Sequence, residues 1–229
     1  MFWREDKSRQ QPFRVPDDVF DLVFRLRGKS IDNDHAHALA EALRERLGDE
    51  TCSRIGVHGI GMASSGNGWI RPEALDAELP LSRRARLVIR VPRDLGEEVM
   101  RISHCSLSLG RQRVEVGEST VRPLSSIGTV HARAISCDRQ QTEAEFLQQA
   151  AAELEAMGIE VSRMLCGKAG EIRTGRDSLF TRALLVADLK PGESVRLQQQ
   201  GIGGDRMLGC GLFVPHKEID AVYQAQEQE

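Results

Sequence analysis

No apolar run in this 229-residue chain approaches the roughly 20 residues that a bilayer-crossing helix requires, and the N-terminus, Met1-Phe2-Trp3-Arg4-Glu5-Asp6-Lys7, has no apolar signal core. Together these absences exclude a helical membrane protein, and the expectation is a cytoplasmic one with no membrane partner. Cysteine is sparse and never arranged as CxxC: Cys52, Cys105, Cys137, Cys166 and Cys210 stand far apart. That spacing excludes a disulfide framework and a zinc finger, leaving reduced, structural thiols. Lysine is scarce too, five of 31 basic residues, a bias that a GC-rich genome explains by default and that bidentate phosphate contacts explain otherwise. Aromatic side chains are few and the one tyrosine, Tyr223, lies in the tail, so backbone and shape readout fits better than a sheet that stacks bases on Phe or Tyr. A net charge of −3 excludes a uniformly basic surface, so a nucleic-acid partner requires the positive charge to be segregated onto one face.

What the chain does have is glycine in one place. Gly201-Ile202-Gly203-Gly204-Asp205-Arg206-Met207-Leu208-Gly209-Cys210-Gly211-Leu212-Phe213 sets five glycines around one arginine just before an apolar run. Such a loop brings bare N–H groups up to an anion, because glycine adopts positive φ and lacks the Cβ that holds a ligand away. Arg206 adds a planar fork suited to phosphate oxygens. The Lys-Ser/Thr pair of a P-loop is missing, and Leu212, Phe213 and Val214 before Pro215 read as a strand. The phosphate expected here is therefore that of a polymer backbone, with an unliganded glycine hairpin as the plain alternative.

Periodicity gives the organisation. Phe20, Leu22, Phe24 and Leu26 alternate as one face of a strand. A helix opens in Asp32-Asn33-Asp34, runs through Ala36, Leu39, Ala40, Leu43 and Leu47, and stops at Gly48. Extended structure around Ile55 and Val57, a strand over 85–91, a helix over 94–103 and an extended stretch over 107–121 complete the order β-α-β-β-α-β. The order then repeats: a strand over 130–136, a helix over 142–157, extended structure over 159–165, a strand over 179–189, a short helix over 193–200, and a strand over 211–214. The expected fold is α+β, two tandem ferredoxin-like (RRM-like) domains at 18–125 and 126–217, with an N-terminal extension over 1–17 and a polar tail over 218–229.

Positive charge is expected on the open faces of both sheets. Period-two geometry puts Arg84, Arg86 and Arg90 on one side of their strand, opposite Ala85, Leu87, Ile89 and Val91. Arg25, Arg27, His131, Arg133 and Arg182 fall on polar sides as well. The connection from Cys166 to Arg176, carrying Lys168, Arg173 and Arg176, is expected to be a flexible second clamp. The plain alternative is a solvated antiparallel sheet.

Several of these segments resemble a known family. The glycine signature extended by Val214-Pro215-His216-Lys217, together with Asp34-His35 before Leu39, Gly56-Val57-His58, the Arg-Leu-x-x-Arg-Val-Pro run ending at Pro92, Leu165-Cys166-Gly167 and Ser194-Val195-Arg196-Leu197, is similar to CRISPR-associated endoribonucleases that cut repeat RNA into guide RNAs. These belong to the repeat-associated mysterious protein superfamily, and the subtype resembled is MYXAN. The resemblance implies tandem ferredoxin-like folds, metal-independent cleavage of a CRISPR repeat stem-loop by 2′-OH attack, retention of the mature crRNA, and association with other effector-complex subunits. No cofactor is implied.

RNA supplies its own nucleophile, so the protein must move two protons and stabilise an anionic transition state, work suited to histidine near neutral pH. The resemblance ranks His35 first, where the helix N-terminus favours a neutral imidazole, His58 as the alternative and His37 after them. Helical spacing puts His35 and His37 on opposite flanks. A metal site from Asp34, His35 and His37 lacks a fourth ligand. The RNA-binding set expected is Arg84, Arg86, Arg90, Arg133, Lys168, Arg173, Arg176, Gly203, Gly204, Arg206, Gly209, Gly211, His216 and Lys217. Two other readings stay open: a non-catalytic crRNA-binding subunit and a small-molecule phosphate enzyme on the same scaffold.

Overall fold

The computed structural model describes residues 13–61, 77–175 and 177–216. The first half begins with β1 (Val19–Gly28) and the short β2 (Ser30–Asp32), followed by α1 (Ala36–Arg54) and β3 (Gly56–Gly61). Next come β4 (Glu78–Pro80), β5 (Arg86–Pro92), α2 (Gly96–Met100), β6 (Ser106–Leu109) and β7 (Gln112–Pro123). The second half contains β8 (Val130–Ser136), α3 (Glu143–Ala156), β9 (Arg163–Thr174), β10 (Asp177–Ala187), α4 (Pro191–Gln200) and β11 (Phe213–Pro215). The main sheets are ordered β3-β5-β1-β7-β6 and β11-β8-β10-β9. Leaving β6 aside, both follow one antiparallel pattern, last-first-third-second, so the fold is two ferredoxin-like units in tandem.

Each half builds its core on the alternation read from sequence. Leu22, Phe24 and Leu26 of β1 and Leu87, Ile89 and Val91 of β5 point to one face, where Leu39, Ala40 and Leu43 of α1 cover them. A fully buried Leu of this kind contributes about 1.5–3 kcal/mol. Gly48, at φ 76°, breaks the helical backbone inside α1, so the first segment of the helix does stop there and a second runs on to Arg54. In the second half Thr142 and Glu145 form a reciprocal capping box at the start of α3. Phe146, Ala150 and Leu154 of that helix pack on Ala132, Leu184 and Val186.

Three expectations change. The stretch from Cys166 to Thr174 is the body of β9, paired with β10 from Arg163↔Ala187 through Thr174↔Asp177, and not a flexible connection. Among the described residues β9 is an edge strand of its sheet. The helix over 94–103 shrinks to a 3-10 turn and the five residues of α2. Gly211 belongs to the turn before β11, not to the strand. Arg176 and Lys217 lie outside the described residues.

Candidate RNA-processing site

Arg90 is 1% exposed and does not face solvent. Its Nε donates to Asp21 Oδ1 at 2.9 Å, one terminal nitrogen reaches Asp21 Oδ2 at 3.3 Å, and the other donates to the carbonyls of Gln198 at 2.7 Å and Phe213 at 2.8 Å. The strand alternation is as expected, but the end of the first sheet that carries Arg90 is covered by α4 and β11. Arg122 adds a second guanidinium 2.9 Å from Asp21. Burial alone would raise the Asp21 carboxyl; the neighbouring His58 ring and the charge and bonds of Arg90 outweigh it and hold it far below the usual carboxylate range. Of the predicted ladder, Arg84 stays exposed in a turn, and Arg86 folds back onto the carbonyls of Arg83 and Ala85 at 3.0 and 2.8 Å.

The glycine loop is closed as well. A Cβ on Gly201 would lie 2.1 Å from the Gly211 carbonyl oxygen, and one on Gly211 2.2 Å from that of Ile202, both at positive φ. These two glycines let the chain cross itself at backbone contact, a role in packing. The turn seats on β3: Leu212 lies 2.5 Å from where a Gly56 Cβ would be, and a Cβ on Gly209 would come within 3.3 Å of the Val57 carbonyl. Arg206 turns inward, donating to the carbonyls of Gln199 and Gln200 at the end of α4, where a helix leaves its acceptors unpaired. Burial, then the charge of Arg90, lowers its pKa to about 10. The amide of Gly203 is taken by Glu153 at 2.8 Å and that of Gly204 by Ser136 at 3.4 Å. The anion in this amide nest is the protein's own carboxylate. Of the residues predicted to cradle a phosphate, Arg206, Gly209 and Gly211 thus pack in a wedge that joins the two halves, while Gly203 and Gly204 stay exposed.

The histidines separate on geometry. His35 is 4% exposed and is the N-cap residue of α1, not part of its first turn. Its Nδ1 donates to the Asp32 carbonyl at 2.9 Å while Nε2 accepts the Ile60 amide at 3.0 Å. An imidazole that accepts an N–H is neutral and has no lone pair left to take a proton. His35 ties the start of α1 to β3. His58 Nε2 sits 3.8 Å from Asp21 Oδ1, beyond hydrogen-bond reach, and is buried without a hydrogen-bond partner among the described residues. Burial, opposed by Asp21, lowers its pKa.

His37 stands elsewhere. It lies in the first turn of α1, half-buried, with no hydrogen bond from its ring among the described residues. The tip of the β9–β10 arm meets it: a Cβ on Gly175 would be 3.7 Å from His37 Nε2. Asp34 holds the arm in place, accepting the Arg173 amide at 3.0 Å and lying 3.9 Å from its guanidinium. The contact joins residues 139 apart in sequence, and nothing in the local pattern of either segment announces it. Asp34, His35 and His37 do not converge on a common point, since the first two are committed to different partners. Lys168 and Arg133 are exposed on the second sheet, and His216 follows β11. A cavity of about 250 Å³ lined by Arg46, Leu47, Glu98, Arg101, Ile102 and Cys105 contains no histidine.

The class this architecture defines is a tandem ferredoxin-like protein in which an arm of the second sheet reaches the first helix. The chain belongs to the family described as Cas6 Crispr, whose model matches residues 20–218. It is 27% identical over 196 residues to the CRISPR-associated endonuclease Cas6 of Myxococcus xanthus, covering 85% of this chain and 80% of that protein. Among solved structures it is similar to a Cas6-related protein from Pyrococcus furiosus, with a TM-score of 0.62, 13% identity, and 87% of this chain and 99% of that one covered. It is also similar to one described as an RAMP protein binding different RNA substrates, with a TM-score of 0.57, 11% identity, and 86% and 100% covered. No helix among the described residues is long and apolar enough to cross a membrane.

Proposed function

We propose that this protein is an endoribonuclease that cleaves CRISPR repeat RNA, without a metal ion, at the junction between the N-terminus of α1 and the tip of the β9–β10 arm. The observation that carries the reading is His37, an imidazole unengaged among the described residues, beside an arm that presents Arg173 and is pinned by Asp34. Membership of the family and the name of the Myxococcus relative support the substrate class.

In this reading the 2′-oxygen next to the scissile phosphate attacks phosphorus, and the P–O5′ bond breaks. The 2′-OH proton leaves to a base, the O5′ leaving group gains a proton, and the products are a 5′-OH and a 2′,3′-cyclic phosphate that water can open to a 3′-phosphate. His37 serves as a proton-transfer group, Arg173 faces the charge that builds on the phosphoryl oxygens, and the exposed Arg84 and Lys168 hold the backbone. His35 acts one step back, fixing the helix start that carries His37. The product stays bound. The test is one substrate pair in excess EDTA: the repeat RNA should be cut, and the same RNA with 2′-deoxyribose before the cut should not. Cleavage of the deoxy substrate rejects the mechanism.

A non-catalytic crRNA-binding subunit is the second reading. It is favoured by the closed hydrogen bonding of His35, the histidine that matches the family motif. Binding of the repeat without cleavage by the unaltered chain would establish it.

A further inference from the structure

Among the described residues, the second sheet has a face that no helix covers. On the helix side Val130, Ala132, Leu184, Val186 and Phe213 are buried. The strand register sets the alternate residues Leu165, Leu185, His131 and Val214 in a single row across all four strands. Leu165 is 63% exposed and the other three are half-buried. The next step along the face is small and flat, because a Cβ on Gly167 would come within 2.9 Å of the Ala183 Cβ. His216 stands edge-on to His131, with ring centroids 5.3 Å apart at 74°. His131 Nδ1 is buried with no hydrogen-bond partner among the described residues. Arg133 is exposed two residues further along β8 and close enough to act electrostatically on His131. Neither row contains a carboxylate, and Asp188 beyond the end of β10 is paired with Arg163 at 3.2 Å.

Leucines, a bare glycine–alanine step, two imidazoles and a flanking guanidinium suit a ligand that is flat and apolar on its faces and anionic along its edge. Nucleobases on a phosphate backbone have that chemistry, and every base has a π-face, so stacking of this kind needs no particular sequence. The sparse Phe and Tyr content does not prevent it, since imidazole supplies the ring.

We propose that this open face is a subsite for unpaired nucleotides of the bound RNA, with bases on Leu165, Leu185 and His131 and the backbone toward Arg133. The identity of the RNA rests on the reading under Proposed function. The β9–β10 arm runs from this face to the His37 junction. Eight residues separate Leu165 from Arg173, about 26 Å of extended strand, so a single strand leaving the junction reaches the face within a few nucleotides.

The full chain is tested with an unstructured RNA decamer and with a repeat hairpin carrying or lacking an unpaired flank. The decamer should bind and photocrosslink to peptides of β8, β9 or β10. The flank should tighten hairpin binding by about tenfold, and Leu165→Ser combined with His131→Ala should abolish that gain. Crosslinks only at other surfaces, protection of the face by the segment 218–229, or a flank gain that survives the double substitution overturns the proposal. The wild-type crosslink does not depend on any variant folding. A chain that crosslinks the decamer on this face but leaves the hairpin uncut keeps the subsite and loses the nuclease reading; one that cuts the hairpin and ignores both decamer and flank does the reverse.

Discussion

Around Arg90 the halves meet through a guanidinium that spends four hydrogen bonds on one carboxylate and two main-chain carbonyls, all out of water, while at the tip of the β9–β10 arm they meet through one carboxylate and an amide alongside a histidine unengaged among the described residues. The first junction satisfies the charge of Arg90 internally. The second keeps polar groups available. The residue types alone suggest the opposite assignment, since arginines and glycines crowd the sealed junction. Positive charge binds RNA only where it has not already been used to hold the fold together, and the neighbours of each arginine decide which it is.

The sharpest way to break this contrast is at His37. His37→Ala should lower the cleavage rate by about 10²- to 10⁴-fold and leave denaturant stability within about 0.5 kcal/mol, measured by single-turnover cleavage beside urea unfolding. Arg90→Ala should do the reverse, costing about 3–5 kcal/mol of stability because Asp21 and two carbonyls lose their buried partner. If Arg90→Ala instead leaves the urea midpoint unchanged and weakens RNA binding, the sealed junction has been misread.

The glycine loop offers an internal control. Gly211→Ala forces a Cβ into the Ile202 carbonyl at positive φ and should cost at least about 1–3 kcal/mol. Gly204 has open space around its Cβ direction, so Gly204→Ala should stay within about 0.5 kcal/mol. Thermal unfolding of the pair measures the difference, and equal effects would mean that the loop is not a packed wedge.

The smallest effect concerns pH. Folding lowers the pKa of His58, so as pH falls below about 6.5 the unfolded chain takes up a proton before the folded one does, and stability drops. The slope from this group is at most about 1.4 kcal/mol per pH unit. His58→Gln should flatten the stability profile between pH 6.5 and 5. Asp21, held far below the usual range, stays ionised throughout that window and contributes its full stabilisation until pH nears 4. A profile unchanged by the substitution would show that the His58 ring is not closed off from water.

Much of the fold was legible because it rests on local periodicity. Leu22, Phe24 and Leu26 alternate, Leu39 and Leu43 fall one helical turn apart, and both ferredoxin-like orders follow from such patterns. The candidate site was less so. His35 fits a family motif, yet the motif is met by a buried imidazole bridging Asp32 and Ile60. The arm from Cys166 to Thr174 looked like a linker because its glycines weaken any strand signal, and it was its pairing with β10 that made it a strand.

The class of fold, the alternation that puts Arg90 opposite the core face, and the likeness to a CRISPR-associated family are all written in spacing along the chain. The docking of the two halves is what buries Arg90 and half-buries Arg206, locks a crossing of backbones at Gly201 and Gly211, and brings the hairpin tip beside Arg173, 139 residues from Asp34, up to His37. Alternation says which side of a strand a residue takes. What lies against that side is set by how the two sheets dock.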